Sequence, residues 1–330
     1  MGYSPEVKAR AINRIKERKL EAERLAARKR DKIFTEIPQA SEYEHRIASC
    51  AIRAGRAVIK GGDTKKELET LKNESLKLQQ EYSELLKTNG YSVSDTEPDY
   101  FCKKCGDTGY YDTDNRTVMC SCLKHAMVEE ACAELNKNSP LKLSTFEDFD
   151  LNLYSNEKDD DLPRSPYEQM SRIFDYCKTY AENFTKNSES IFMKGMTGLG
   201  KTHLSLAIAN EVTKKGYGVI YASAPILLSK LEKEQFRRDS NAFGTEDALI
   251  QCDLLIIDDL GTEFSNKFSA GAIYNLFNSR ILLGKPVIIN TNLDFDELED
   301  IYTQRFVSRI IGETKRLDFF GKDIRTIKRK

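Results

Sequence analysis

Long apolar runs and net charge are both missing from this chain. No uninterrupted apolar stretch reaches about 18 residues, which excludes a hydrophobic membrane span. The start of the chain does not have the pattern of a secretory leader, so the expected location is cytoplasmic, with no membrane contact. The formal net charge is −1 over 330 residues, so local fields rather than overall charge must select partners. Those fields are uneven. Residues 1–35 carry eleven Lys/Arg against five acids, residues 147–161 are acidic, and residues 315–330 carry seven Lys/Arg against two Asp. With 40% hydrophobic and 31% charged residues the chain can bury a sizeable core, and its length implies two domains or more. In a reducing compartment the eight cysteines read as thiols or metal ligands before disulfides.

The stretch Ser190 to Thr202, S-I-F-M-K-G-M-T-G-L-G-K-T, begins as a buried strand and becomes G-x-x-x-x-G-K-T. The chemistry of a phosphate cradle needs this order. Glycines at both ends, 195 and 200, let the backbone of Gly195, Met196, Thr197, Gly198, Leu199 and Gly200 turn its N–H groups inward, and the following helix adds its positive end. Lys201 would reach the β- and γ-phosphates of ATP, and the Thr202 hydroxyl would take a place on Mg²⁺. His203 to Val212 follows as an amphipathic helix.

A second signature lies at Cys252 to Gly261, C-D-L-L-I-I-D-D-L-G. Four apolar residues in a row make a strand buried on both faces, and its carboxyl end delivers Asp258 and Asp259. Asp258 is expected to order Mg²⁺ through its water and Asp259 to polarise the water that attacks the γ-phosphate, with Glu263 a nearby reserve carboxylate. Lys285 to Asn292 reads as another buried strand, whose terminal Asn292 would hold the attacking water or the γ-phosphate, or else form a turn. Beyond it, Ile301 to Ile311 is expected to be a helix bearing Arg305 and Arg309 one turn apart. Leu317 to Phe320 is expected as a last short strand, and Arg325 follows in a basic tail.

Before residue 136 the pattern is helical. A thin apolar stripe (Val7, Ala11, Ile15, Ala22, Ala26) marks a basic first helix, either a solvated face or a partner surface. Gln39 to Lys60 is a second helix. Leu68, Leu71, Ser75, Leu78, Tyr82 and Leu85 form the seam of a third, introduced by a capping box at Thr64 and Glu67. That seam requires another helix, so a helical hairpin or three-helix unit is expected. Next, Cys102-x-x-Cys105 is followed after fourteen intervening residues by Cys120-x-Cys122. Two close thiolate pairs joined by a ribbon suit a closed, tetrahedral, structural Zn²⁺ site, with His125 as a substitute for Cys120 or Cys122. The expected domains are a helical zinc-binding unit at 1–135, a linker or strap at 136–166, and an α/β ATPase domain with a parallel sheet at 167–330.

Together these residues resemble the DnaC/DnaI-type helicase loaders within the AAA+ group, with the IstB transposition ATPases as near relatives. The resemblance is carried by G-M-T-G-L-G-K-T-H-L, L-L-I-I-D-D-L-G-T-E, Thr291-Asn292, R-F-V-S-R-I at Arg305 to Ile310, and the strap T-F-E-D-F-D at Thr145 to Asp150. It implies an AAA+ P-loop ATPase that grips a replicative hexameric helicase through its N-terminal domain, contacts single-stranded DNA through its ATPase domain, and self-associates. It also implies that Asn292 is sensor 1, Arg309 the finger offered to a neighbouring subunit (Arg305 the runner-up), and Arg325 sensor 2. Asp259 stands where most AAA+ proteins have Glu, and the chain ends soon after Arg325, so a full helical lid is not expected. Slow hydrolysis used as a switch follows from the shorter acid. The rival readings are a helper ATPase for a transposase, a module that keeps ATP as structural glue, and a small-molecule kinase.

Overall fold

A computed structural model describes residues 4–60, 65–113, 116–137, 144–158, 160, 162–236, 244–264 and 267–327. Contacts gather the chain into two compact units, 12–124 on one hand and 1–11 with 125–330 on the other. Among the described residues no helix is long and apolar enough to cross a membrane.

In the unit at 12–124, helix α1 (Pro5–Glu36), whose residues before 12 belong to the other unit, is followed by α2 (Pro38–Lys60) and α3 (Lys65–Thr88). The seam on α3 buries Leu71, Leu78, Tyr82 and Leu86, and α2 and α3 lie against each other along their length. Ile33, Ile37, Ala40, Tyr82 and Leu86 form one core cluster, so α1 and the start of α2 cover the last turns of the α3 seam, where Leu86 is buried and the expected Leu85 packs partly buried beside it. Arg30 pairs with Glu44 and Arg53 with Glu74 at the exposed rims. Thr64 of the expected capping box lies outside the described residues. The unit closes with an antiparallel hairpin, β1 (Tyr110–Thr113) with β2 (Arg116–Met119), and the first turn of α4 (Ser121–Leu135).

The other unit is built on a five-stranded parallel sheet. Its elements run α5 (Pro166–Glu182), β3 (Ser190–Lys194), α6 (Lys201–Lys214), β4 (Val219–Ser223), α7 (Ala224–Phe236), α8 (Thr245–Gln251), β5 (Leu254–Leu260), α9 (Lys267–Leu282), β6 (Val287–Thr291), α10 (Phe295–Ile301), α11 (Gln304–Glu313), β7 (Thr314–Asp318) and α12 (Ile324–Ile327). The strand order is β4-β5-β6-β3-β7. Alternation along each strand divides the core. Ile191, Met193, Leu254, Ile256 and Ile288 face a cluster shared with α5 and α6. Phe192, pointing the other way, stacks on Phe295 of α10, and Phe277 of α9 meets Phe306 of α11 edge-on. Near the start of the unit, Arg10 pairs with Glu130 and Glu134 of α4.

Two expected boundaries shift. The helix expected at Ile301 to Ile311 begins later, at Gln304: α10 ends at Ile301, and the Thr303 hydroxyl caps the new helix by accepting from the Phe306 N–H. The last strand begins at Thr314 rather than Leu317: as an edge strand pairing with β3 it presents Lys315 and Arg316 to solvent, and this polarity hides it from an apolar-run reading.

Arg280 is wholly buried. Its guanidinium donates to the carbonyls of Leu249 (2.6 Å), Cys252 (3.0 Å) and Pro286 (2.7 Å), gathering the last turn of α8 with the approaches to β5 and β6. The negative end of α8 supplies the compensation that a carboxylate would otherwise give.

Candidate functional site

The turn from β3 into α6 is the centre of the site. Gly195 and Gly200 have φ of 151° and 93°, which L side chains rarely adopt. Both also permit close approach. A Cβ on Gly195 would stand 2.2 Å from the Phe319 carbonyl oxygen, and one on Gly200 would stand 2.8 Å from the Tyr154 hydroxyl. The loop is thus gripped from two directions. Tyr154 donates to the Leu199 carbonyl (3.0 Å), with Phe149 stacked on Tyr154, while the Ile324 N–H donates to the Gly198 carbonyl (3.1 Å) and Asp323 packs against Gly198. Leu199 is buried between them, whereas Met196 and Thr197 stay exposed.

Placing β6 between β3 and β5 brings the end of β6 beside the loop lysine. Lys201 is buried, and its Nζ donates to the carbonyls of Gly195 (2.5 Å) and Met196 (2.8 Å) and to Asn292 Oδ1 (2.7 Å). Burial pulls this ammonium down to about 8, with Asp258 and Asp259 holding it up and Arg325 pushing it further down. These contacts bring Lys201 and Asn292 together.

Asp258 is 2% exposed and surrounded by donors. Its Oδ1 accepts from the Thr202 hydroxyl (3.2 Å) and from Asn290 Nδ2 (2.7 Å), and its Oδ2 from the Tyr221 hydroxyl (2.5 Å). Asp259, next in sequence, points elsewhere. The pairing of β5 with β6 shifts register between Ile257 and Leu260, and Asp259 takes φ of 53° there and is exposed. A register irregularity at a strand end re-aims a side chain, and a non-glycine residue at positive φ marks a position held by its surroundings. Partial burial and the neighbouring Asp258 push the Asp259 carboxyl above the usual range, while Lys201 and Arg325 pull it back. Glu263 is tied up by the Gly261 N–H and the Tyr302 hydroxyl.

The arginines divide. Arg325, on α12, is exposed, and its charge is the weakest of the influences that lower the Lys201 ammonium and the Asp259 carboxyl. Arg305 and Arg309 lie on α11. Arg305 is exposed with its guanidinium 5.6 Å from the centre of the Tyr274 ring, and Arg309 is half-buried with no ion-pair partner among the described residues.

In the unit at 12–124 the four cysteines converge. The sulfurs of Cys102, Cys105, Cys120 and Cys122 all lie within 4.8 Å of one another, with Cys102 to Cys120 at 3.7 Å and Cys105 to Cys122 at 3.4 Å. A tetrahedral zinc with sulfurs at about 2.3 Å requires sulfur–sulfur spacings near about 3.8 Å, so the donor set fits Zn²⁺ in kind, number and spacing. Burial pushes the Cys120 thiol up, but the backbone at Cys122 and the neighbouring thiols outweigh it and bring it to about 7. Asp107, 1% exposed, accepts from the N–H groups of Phe101 (2.8 Å) and Cys102 (3.0 Å) and shapes the first turn. His125 lies 3.4 Å from Glu129 on its own helix.

Residues 172–318 match the family described as IstB-like ATP binding protein. The replicative helicase loader DnaC of Buchnera aphidicola subsp. Baizongia pistaciae is 28% identical over 158 residues, 46% of this chain and 63% of the loader. That of Escherichia coli strain K12 is 28% identical over 138 residues, 41% of this chain and 55% of the loader. The chain is similar to the DnaC-type helicase loaders. The crystal structure of the DnaC helicase loader covers 55% of this chain and 99% of its own, with 19% identity and a TM-score of 0.46. The matches span somewhat more than half of the DnaC-type loaders' length, and the family match does not reach the four cysteines.

Three contributors escape a reading of the sequence. Asn290, two residues before the expected Asn292, bridges Asp258 and Ser205. Its signal is a polar residue inside the apolar run V-I-I-N, where an amide needs a partner. Tyr221 reads as an ordinary strand aromatic, and Asp107 as a turn residue between glycines.

Proposed function

We propose that this protein is an ATP-dependent loader of a replicative hexameric helicase onto single-stranded DNA, with slow ATP hydrolysis as its switch. One observation carries the reading. Lys201, Thr202, Asp258 and Asn292 share a single constellation at the carboxyl ends of three neighbouring parallel strands.

In this reading the N–H groups of residues 195–200 and the positive end of α6 cradle the phosphates. Lys201 exchanges its carbonyl and amide partners for phosphate oxygens, which is why its burial without a carboxylate contact suits the free protein. Thr202 and Asp258 would hold Mg²⁺, which neutralises charge on the phosphates when bound. The residues fit: a hydroxyl and a buried carboxylate oxygen face each other, and the neighbouring Asn290 Oδ1 is buried without a donor among the described residues, an acceptor suited to a water of the cation's shell. Asp259, exposed at the strand end, takes the proton of the attacking water. Asn292 holds that water in place, and Arg325 answers charge on the γ-phosphate. Arg309 is offered to a neighbouring copy, so self-association completes the site. Residues 1–135, stapled by Zn²⁺ on four thiolates, form the helicase-binding domain, 136–166 the strap, and 167–330 the ATPase domain, working in the cytoplasm.

The family match favours one second reading, an IstB-like helper ATPase of a transposase. Gel filtration of the full chain with a hexameric replicative helicase, in ATP and in ADP, separates them. Nucleotide-dependent co-elution supports the loader, and elution apart in both nucleotides refutes it.

A further inference from the structure

We propose that Tyr221 is a positioning residue for the divalent cation of the nucleotide site, pinning one oxygen of Asp258 so that the other stays turned toward Thr202. The inference rests on the ATPase reading and adds a residue to it.

Register supplies the geometry. On β4, Tyr221 lies opposite Ile256 of β5 and Ser223 opposite Asp258, so the Tyr221 and Asp258 side chains share one face, offset by two residues along the strands. That diagonal is within reach of a long aromatic side chain, and the hydroxyl arrives 2.5 Å from Asp258 Oδ2. The opposite oxygen, Oδ1, carries the Thr202 and Asn290 contacts. A carboxylate can rotate about its last bond. Contacts on Oδ1 alone would leave Oδ2 free to change places with it, whereas a donor on each oxygen fixes the plane.

The surroundings do not hold Tyr221 by shape alone. It packs against the core on the α6 side, yet it also borders a cavity of about 390 Å³ lined by Ile220, Leu227 and Leu249. Phenylalanine would serve as an apolar wall there. A hydroxyl half-withdrawn from water is retained without penalty where it has an acceptor, and here the acceptor is Asp258.

The test uses Tyr221→Phe in the full chain, a change that keeps the ring. Binding of a fluorescent ATP analogue is measured at equilibrium across a Mg²⁺ titration, with wild type, Asp258→Asn and the double variant beside it. Tyr221→Phe should raise the Mg²⁺ concentration at half-saturation about tenfold, the scale on which outer-shell partners of metal ligands act, and leave Mg²⁺-free binding unchanged. In the Asp258→Asn background the same substitution should add nothing. Superimposable titrations of Tyr221→Phe and wild type overturn the inference, as does a shift of equal size in the Asp258→Asn background. If wild type binds the analogue with no dependence on Mg²⁺, the ATPase reading itself fails.

Discussion

ATP binding should bring a proton with it. In the free protein burial lowers Lys201 to about 8. Phosphate oxygens beside the ammonium would return it to the ordinary lysine range, about 10.4. The sign follows from linkage. Binding favours the protonated lysine, so affinity is full well below pH 8 and is lost as pH rises through that value. With values of about 8 and about 10.4, affinity falls about eightfold between about pH 7.5 and about pH 9, or about 1.2 kcal/mol, and at about pH 9 each binding event takes up about 0.9 proton. The free protein should show the opposite trend. Between about pH 8 and about pH 10.4 its unfolded chain holds a proton that the folded one has released, so stability rises across that window. Calorimetric titration of ATP at about pH 9, in two buffers of different ionisation enthalpy, reads the uptake directly. Affinity that is flat across the window, together with heats independent of buffer, would refute the argument.

Metal analysis of purified protein should find about one zinc per chain. Cys102→Ser or Cys105→Ser should remove it and loosen the unit at 12–124 while nucleotide binding persists; zinc retained in both variants contradicts the four-thiolate site. Arg309→Ala should preserve ATP binding while lowering hydrolysis by about 10³-fold or more. Mixing it with Lys201→Ala protein should restore some turnover, and no recovery at any ratio means that the site is complete within one chain. Gly195→Ala, whose Cβ would stand 2.2 Å from the Phe319 carbonyl oxygen, should cost about 1–3 kcal/mol in denaturant unfolding and weaken nucleotide binding; unchanged unfolding would mean that Phe319 does not press on the loop.

What could be read from the residues is what has a local signature. The loop glycines, Lys201 and Thr202 sit at fixed spacing between an apolar run and a helix, and Asp258 follows directly on the run L-L-I-I, in which burial of the strand on both sides is visible. The helical seam at Leu71, Leu78 and Tyr82 is equally local. Tyr221 and Asn290 are different, because their meeting at Asp258 depends on strand order and register, which no single stretch encodes. The grip on the loop is also non-local: Tyr154 reaches a carbonyl 45 residues away, and Asp323 returns from the far end of the chain. Arg280 looks like one more helical charge until the fold surrounds it with carbonyls.

The central claim, that Lys201 and its neighbours form a working ATPase site, meets its most direct test in phosphate release by the full chain with single-stranded DNA and helicase present. The expected result is slow, Mg²⁺-dependent release that disappears in Lys201→Ala while that variant keeps its fold by circular dichroism. Release that persists unchanged in Lys201→Ala, or no release from wild type under any of these conditions, would contradict it.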